Sequence, residues 1–345
     1  MDKHSIEVLE FKKIINKLKE YAATNLAKEV IDQLTPVSDV SYVKESLKEV
    51  TTAKKILDDY GRVGFGGIRD VRKIVKKANK DIVLKTEEVD KVFSTLKGFR
   101  NLKGYFNNIL DDADPEIIDR EYKIIIDKAN NIKLNKKLED EIDKTIDEYG
   151  EIRDSASPKL RSLRREMEKI EDQIRDKLQD IIKSKKYENM LQDSLVTRRE
   201  NRYVVPIKQE YRSSFSGIVH DQSSSGMTIF MEPMSVVKLN NRLRELKSNE
   251  EAEIYRILQV LTQKIKNNSK EINNNLKLSS ILDLAFARAR YSLEINGTAA
   301  EINKNGNIKI KKGRHPLLKN DPVPIDVEVG DNFNTLVITG PNTGG

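Results

Sequence analysis

The chain has 345 residues, of which 34% are charged and 37% hydrophobic, and its formal net charge is +7. This length predicts roughly two to four structural units, and the modest positive charge favours a polyanionic partner. The absence of cysteine excludes disulfides and thiolate metal sites, and the scattered His4, His220 and His315 do not suggest a zinc cluster. The first residues lack the apolar run that a signal peptide or membrane span needs, which predicts a cytoplasmic protein with no membrane partner.

Residues 1–123 are predicted to form a helical core domain. Apolar side chains recur at three- and four-residue steps from Ile6 to about Leu110. Four glycines crowd into residues 61–67, but no strand pattern precedes them and no Gly-Lys-Ser/Thr follows. A tight turn between helices is therefore favoured over a phosphate loop.

Residues 124–193 are predicted to form an outgoing helical arm. Ser157 can cap the free amides of a helix while Pro158 fits its first turn, so the long helix of this arm should begin near residue 157. Residues 194–236 change to short β-branched and aromatic runs, which predicts a β-rich tip. Residues 237–280 return to a helical stripe and are predicted to pack antiparallel to the outgoing arm.

Residues 281–345 are predicted to open an α/β unit. A helix is followed by three candidate strands, the last of them Leu336–Thr339. That strand leads directly into a glycine-rich run that matches the first six positions of a phosphate loop: Gly340, Pro341, Asn342, Thr343, Gly344 and Gly345. The alternative for such a short run is an irregular terminus. Glycines let backbone N–H groups converge on phosphates, whereas the Lys and the Ser/Thr that follow in the motif are not in this sequence.

Several segments together resemble the MutS family. The run Leu336–Gly345 is similar to the MutS phosphate loop, and Gly313–Leu318 is similar to the Arg-His-Pro motif of these proteins. Further segments are similar to the bacterial second MutS paralogue, and the resemblance covers essentially the whole chain: Gly66–Asp70, Ser155–Arg161, Asp283–Tyr291 and Glu294–Gly297.

The resemblance implies a fold and a function. The expected fold is mainly α, with a helical core, two long lever helices carrying a β clamp tip, and the start of a P-loop ATPase domain. The expected activity is that of an ATP- and Mg²⁺-dependent homodimeric clamp on branched DNA or on collided ribosomes and their rRNA, which suppresses recombination or splits ribosomes. His315 and Pro316 would lie beside the nucleotide base. Nuclease function would come from a carboxy-terminal Smr domain that is not in this sequence. The chain alone is therefore expected to have no catalytic residues and to bind neither ATP nor metal.

The predicted tip carries a basic cluster in which only Glu200 and Glu210 oppose five cations: Arg198, Arg199, Arg202, Lys208 and Arg212. An arm-borne tip with this excess could contact a phosphate backbone, although most such clusters are simply solvated. The basic arm segment with Arg161, Arg164 and Arg165 is a second candidate. His220 and Asp221 form an adjacent pair without a nucleophile motif, which favours a polar turn over a catalytic dyad.

Three classes of function remain open from the sequence. The first is the nucleic-acid clamp. The second is a coiled-coil structural ATPase, although in that class the phosphate loop precedes the arms. The third is a helical scaffold without nucleotide function. Phosphate contacts carry little base information, so the sequence does not decide between DNA and ribosomal RNA.

Overall fold

The computed structural model describes residues 3–318 and 322–339, most of which are helical. The chain forms two compact units, each assembled from separate stretches of sequence. The first unit holds the described residues of Met1–Lys73, Lys91–Lys136 and Asn268–Gly345. The second holds Ile74–Asp90 and Lys137–Asn267. A mainly helical fold with a small antiparallel sheet is thus confirmed.

The elements follow one another with short connections. The helices are α1 (Lys3–Val8), α2 (Phe11–Glu20), α3 (Asn25–Asp32), α4 (Val40–Tyr60), α5 (Arg72–Asn79), α6 (Thr86–Asp112), α7 (Pro115–Ile117), a π-helical turn (Ile118–Tyr122), α8 (Lys123–Asn130), α9 (Lys136–Thr145), α10 (Pro158–Lys183), α11 (Met234–Asn267) and α12 (Ser269–Glu294). The strands are β1 (Thr197–Arg199), β2 (Arg202–Lys208), β3 (Gly217–Gln222), β4 (Thr228–Pro233), β5 (Ile308–Gly313) and β6 (Ile325–Val329).

In the first unit, α12 packs against α3 and α4. A buried carboxylate fixes the start of α3, because Asp283 of α12 accepts hydrogen bonds from the backbone N–H groups of Ala23 and Thr24 at 3.1 and 2.7 Å. The Thr24 hydroxyl also donates to Asp283 and accepts from the Ala27 amide, which makes Thr24 the N-cap of α3. Burial raises the pKa of Asp283 above its usual value.

The glycine cluster forms the turn between α4 and α5, as predicted. Gly61 ends α4 with φ of 74°, and its N–H donates to the Leu57 carbonyl. Gly67 has φ of 85°, and a Cβ at this position would lie 3.0 Å from the carbonyl oxygen of Ser94. Both positions favour glycine because side chains rarely adopt this left-handed backbone.

In the second unit, α10 and α11 pack side by side. Their ion pairs join Arg164 to Glu250 and Glu166 to Arg242, so residue numbers rise along one helix as they fall along the other. The two helices are therefore antiparallel, as the apolar stripes predicted. The 26 residues of α10 span about 39 Å at 1.5 Å per residue.

The start of α10 confirms the predicted cap. The Ser157 hydroxyl accepts from the Leu160 amide at 3.0 Å, and Pro158 occupies the first helical position. Ser157 also donates to the buried carboxylate of Glu253 on α11 at 2.8 Å. Bonding from Arg256 and from Ser157 lowers the pKa of Glu253 to about 2.

Two boundaries differ from those expected from the sequence. The returning helix was expected to run over residues 237–280, but α11 ends at Asn267 and α12 begins at Ser269 within the first unit. Buried apolar residues continue across Asn268, so periodicity alone does not reveal this break. Residues 124–136, which we assigned to the outgoing arm, also belong to the first unit.

The strand predicted at Leu336–Thr339 is wrong. These four residues form no strand, and Val337 and Ile338 are 76% and 87% exposed. A strand needs hydrogen bonds from a neighbouring strand, and within residues 3–318 and 322–339 none pairs with this run. The strands predicted at Ile308–Ile310 and Ile325–Val329 are confirmed as the antiparallel pair β5 and β6.

Candidate nucleic-acid interface

A four-stranded antiparallel sheet in the order β1-β2-β4-β3 carries the predicted basic cluster. In its centre, Val205 and Ile207 of β2 lie opposite Met231 and Ile229 of β4. This face packs on α10 and α11 through a buried apolar cluster: Ile174, Leu178, Leu191, Val205, Ile207, Phe215, Ile229, Met231, Val236 and Leu243. Because side chains alternate along a strand, Lys208 of β2 lies on the opposite face of the strand from Ile207 and this core.

The two arginines of β1 are partly neutralised by the fold. Arg198 pairs with Glu171 of α10 at 2.8 Å, and its guanidinium lies 4.2 Å from the centroid of the Tyr203 ring. Arg199 pairs with Asp221 of β3 at 2.9 Å and lies 4.1 Å from the centroid of the Phe230 ring. Stacking fixes the plane of each guanidinium and leaves part of its edge free to donate.

Arg202 is held in a buried polar network. Its Nη1 lies 2.9 and 3.0 Å from the two carboxylate oxygens of Glu232, a side chain with no exposed surface. Asn240 of α11 donates to the same carboxylate at 2.8 Å, and His220 bonds to it at 2.6 Å. The Arg202 side chain is itself only 16% exposed. Its charge is therefore already compensated inside the sheet.

Lys208 and Arg212 are the members of the cluster whose charges meet no carboxylate among the described residues. The Lys208 ammonium donates to the backbone carbonyl of Asn189 at 3.0 Å. Arg212 is exposed, and no side-chain hydrogen bond or ion pair holds its guanidinium within the described chain. Glu210 lies between the two cations in sequence and is also exposed. The two positive charges at this end of β2 are therefore the ones in the predicted cluster that form no ion pair within the described chain.

A serine-rich hairpin adjoins these two cations. Thr228 of β4 lies opposite Lys208, and the Gln209 amide donates to the carbonyl of Met227 at 3.0 Å. The hairpin turn closes through the Gly226 amide and the Ser223 carbonyl, with φ of 74° at Gly226. Hydroxyl and ammonium groups such as those of this hairpin and Lys208 are common donors to phosphate oxygens.

The acidic partners of the cluster are not evident from the local sequence. Glu200 and Glu210 are the carboxylates close in sequence, whereas Glu171, Asp221 and Glu232 reach the arginines through tertiary contacts. The polar turn predicted at His220 and Asp221 is wrong, because both residues lie on strand β3, where they bond to different partners. Among the described residues, no cluster of acidic, histidine or cysteine side chains has the arrangement of a metal site.

The predicted nucleotide-binding residues are only partly described. His315 is exposed and Pro316 is half-buried, in a turn in which the Leu318 amide donates to the His315 carbonyl at 3.1 Å. The glycine-rich run, Gly340, Pro341, Asn342, Thr343, Gly344 and Gly345, lies outside the described residues. The role of His315 and Pro316 in nucleotide binding stays a prediction.

Comparison with known proteins identifies the relatives of this chain. No family model matches it. It is 56% identical over 345 residues to the Endonuclease MutS2 of Halothermothrix orenii, and 42% identical over 346 residues to that of Acetivibrio thermocellus. It is 38% identical over 347 residues to the Putative endonuclease MutS2 of Bacillus subtilis. Each alignment covers 100% of this chain but only 43 to 44% of the relative, so the chain spans less than half of their length.

None of the helices within the described residues is both long and apolar enough to cross a membrane. The relatives align with the helices, the sheet and the glycine-rich run alike, because the alignments extend over the whole sequence. The chain belongs to the MutS2 family.

Proposed function

We propose that this chain is the arm-bearing part of an ATP-gated, homodimeric clamp that holds nucleic acid. In this proposal α10 and α11 are the lever helices, and the four-stranded sheet is the clamp tip. The names of the relatives support an action on nucleic acid, since they are endonucleases. The antiparallel pair of α10 and α11 supports the assignment of the lever helices, because two packed helices can hold the sheet rigidly at one end.

The observation that carries the proposal is the uncompensated charge at the end of β2. Lys208 and Arg212 meet no carboxylate among the described residues, and the hairpin loop that carries Ser223–Ser225 leads into Thr228, opposite Lys208. Arg198 and Arg199 add guanidinium edges along β1. Such a surface recognises the phosphate backbone rather than bases. Branched DNA and the rRNA of collided ribosomes both present this backbone, so both are proposed ligands.

The nucleotide part of the proposal concerns Gly340–Gly345, with His315 and Pro316 beside the base. In the longer protein a Lys after Gly345 would hold the β- and γ-phosphates of ATP, and the next hydroxyl would hold Mg²⁺. ATP would then set the position of the arms. A coiled-coil structural ATPase is the alternative function, and it requires no phosphate contact at the sheet.

The tip is tested by a Lys208→Ala/Arg212→Ala double variant. We expect the affinity for a random-sequence duplex to fall, and the slope of log affinity against log salt to flatten by about 1.8, since each lost phosphate contact removes about 0.9. Fluorescence anisotropy at several salt concentrations measures both quantities. The loss should be the same for different sequences, because every phosphate presents the same oxygens.

The matched control is Lys177→Ala/Arg244→Ala. It removes one lysine and one arginine from the exposed surfaces of α10 and α11, so its net charge equals that of the tip variant. Equal salt slopes in the tip variant, the control and the unmodified chain would reject the tip as a phosphate-binding surface. Circular dichroism checks that the helix content of all three proteins is the same.

A further inference from the structure

A shallow groove runs along the outer face of the first two turns of α10. It encloses about 270 Å³ and is lined by Ser155, Pro158, Arg161, Ser162 and Arg165. Positions 158, 161, 162 and 165 are three or four residues apart and therefore share one helix face. That face is opposite to the buried residues of α10: Leu160, Ile174 and Leu178.

The basic residues in this segment divide into two groups. Arg164 bonds to Glu250, to Asp154 and to the Ile152 carbonyl, at 2.7, 2.6 and 2.8 Å. Lys159 lies 3.5 Å from the buried Glu253. These two side chains connect α10 to its surroundings.

Arg161 and Arg165 have no such contacts. Both are exposed, and neither forms a hydrogen bond or ion pair with any residue in the described chain. The hydroxyls of Ser155 and Ser162 are equally without partners among the described residues. The groove therefore presents two guanidinium groups and two hydroxyl groups whose hydrogen bonds are not used by the fold.

The two arginines of the groove form no ion pair with a carboxylate among the described residues. The groove lining contains no carboxylate, and the next acidic residue along the outer face is Glu168. Asp172, one turn further, is already paired with Arg175. Like charges four residues apart destabilise a helix slightly, so Arg161 and Arg165 repel each other in the unbound protein. An anion placed between them would remove this repulsion.

The donor set identifies the chemistry of the ligand. Two guanidinium forks and two hydroxyls offer many donors around one open groove, which matches the several acceptor oxygens of a phosphate group. We propose that the groove binds phosphodiester groups of a nucleic-acid backbone, as a contact separate from the tip. This inference rests on the proposed nucleic-acid function and extends its binding surface from the sheet to the base of α10.

The test is the Arg161→Ala/Arg165→Ala variant of the chain, with duplex DNA and duplex RNA of equal length and random sequence as probes. We expect about a tenfold loss of affinity at 50 mM salt and a salt slope flatter by about 1.8 on duplex DNA, with a flattening of the slope on duplex RNA as well. The probe that the unmodified chain binds more tightly indicates whether the phosphodiester groups come from DNA or RNA. The Arg161→Lys/Arg165→Lys variant should retain the salt slope but lose affinity, because an ammonium group cannot form the bidentate contact.

The control is Arg175→Ala/Arg244→Ala, which removes two exposed arginines outside the groove. If the groove variant behaves like this control while the Lys208→Ala/Arg212→Ala variant still loses affinity, the proposed phosphate binding at the groove is wrong. The proposed function is then unaffected. An unmodified chain that binds neither duplex overturns the proposed function and this inference with it. Matching circular dichroism spectra show that a loss of binding is not a loss of fold.

Discussion

At the scale of single residues, Arg202 shows how tertiary partners change the meaning of a basic cluster. Its sequence context resembles that of Arg198 and Arg199, yet it bonds to a carboxylate with no exposed surface. The sequence could predict that the cluster exists and lies on a sheet. It could not predict that Glu232, 30 residues away, would form an ion pair with Arg202 and so neutralise one charge of the cluster.

We expect Arg202→Met to lower the free energy of unfolding by about 3 to 5 kcal/mol, because Glu232 would keep a buried charge without its cation. Urea unfolding measures this change. A second variant, Arg202→Met/Glu232→Gln, should recover much of the loss, since the amide keeps an oxygen for Asn240 without carrying a charge. Arg202→Met as stable as the unmodified chain would mean that the pair is solvated and contributes little.

At the scale of elements, helix starts and alternating strands were predictable, whereas an interruption inside an amphipathic pattern was not. Ser157 and Pro158 marked the beginning of α10 because capping depends on neighbouring residues. The β-branched run around Val204 and Val205 marked β2 for a similar local reason. Two features could not be predicted in this way: the break at Asn268 and the unpaired run at Leu336–Thr339. Neither has a signal in the local sequence pattern.

The cap provides a test at this scale. We expect Ser157→Ala to destabilise the second unit by about 1 to 2 kcal/mol, since it removes the N-cap and one donor to the buried Glu253. Ser162→Ala is the matched control. It lies in the same helix, is exposed and forms no hydrogen bond among the described residues, so it should change stability by less than about 0.5 kcal/mol. Equal urea midpoints for the two variants would contradict the capping role.

At the scale of the whole molecule, the division into units is discontinuous in sequence. The second unit combines Ile74–Asp90 with Lys137–Asn267, and hydrogen bonds join the two pieces. The Leu84 amide donates to the buried hydroxyl of Thr262 at 3.0 Å, and Asp81 accepts from Lys266 at 2.6 Å. The five domains expected from the sequence are each a continuous stretch of residues, so none of them could correspond to such a unit.

We expect Thr262→Val to loosen the attachment of residues 74–90, because the Leu84 amide would lose its acceptor at a cost of about 1 to 3 kcal/mol. Hydrogen exchange followed by mass spectrometry should show faster exchange in that segment. Thr51→Val is the control, since the Thr51 hydroxyl bonds only to a carbonyl on the exposed side of α4. Unchanged exchange in residues 74–90 would show that apolar packing alone holds the segment.

The same discontinuity bears on the order of events during synthesis. Leu84 and its acceptor are 178 residues apart. At a translation rate of about 5 to 20 residues per second, Leu84 is synthesised roughly 9 to 36 seconds before Thr262. During that interval the Leu84 amide and the Asp81 carboxylate lack the partners on α11 that they have in the finished protein, Thr262 and Lys266. The two pieces of the second unit therefore become joined by these bonds only after α11 has emerged, so this part of the fold forms late in synthesis.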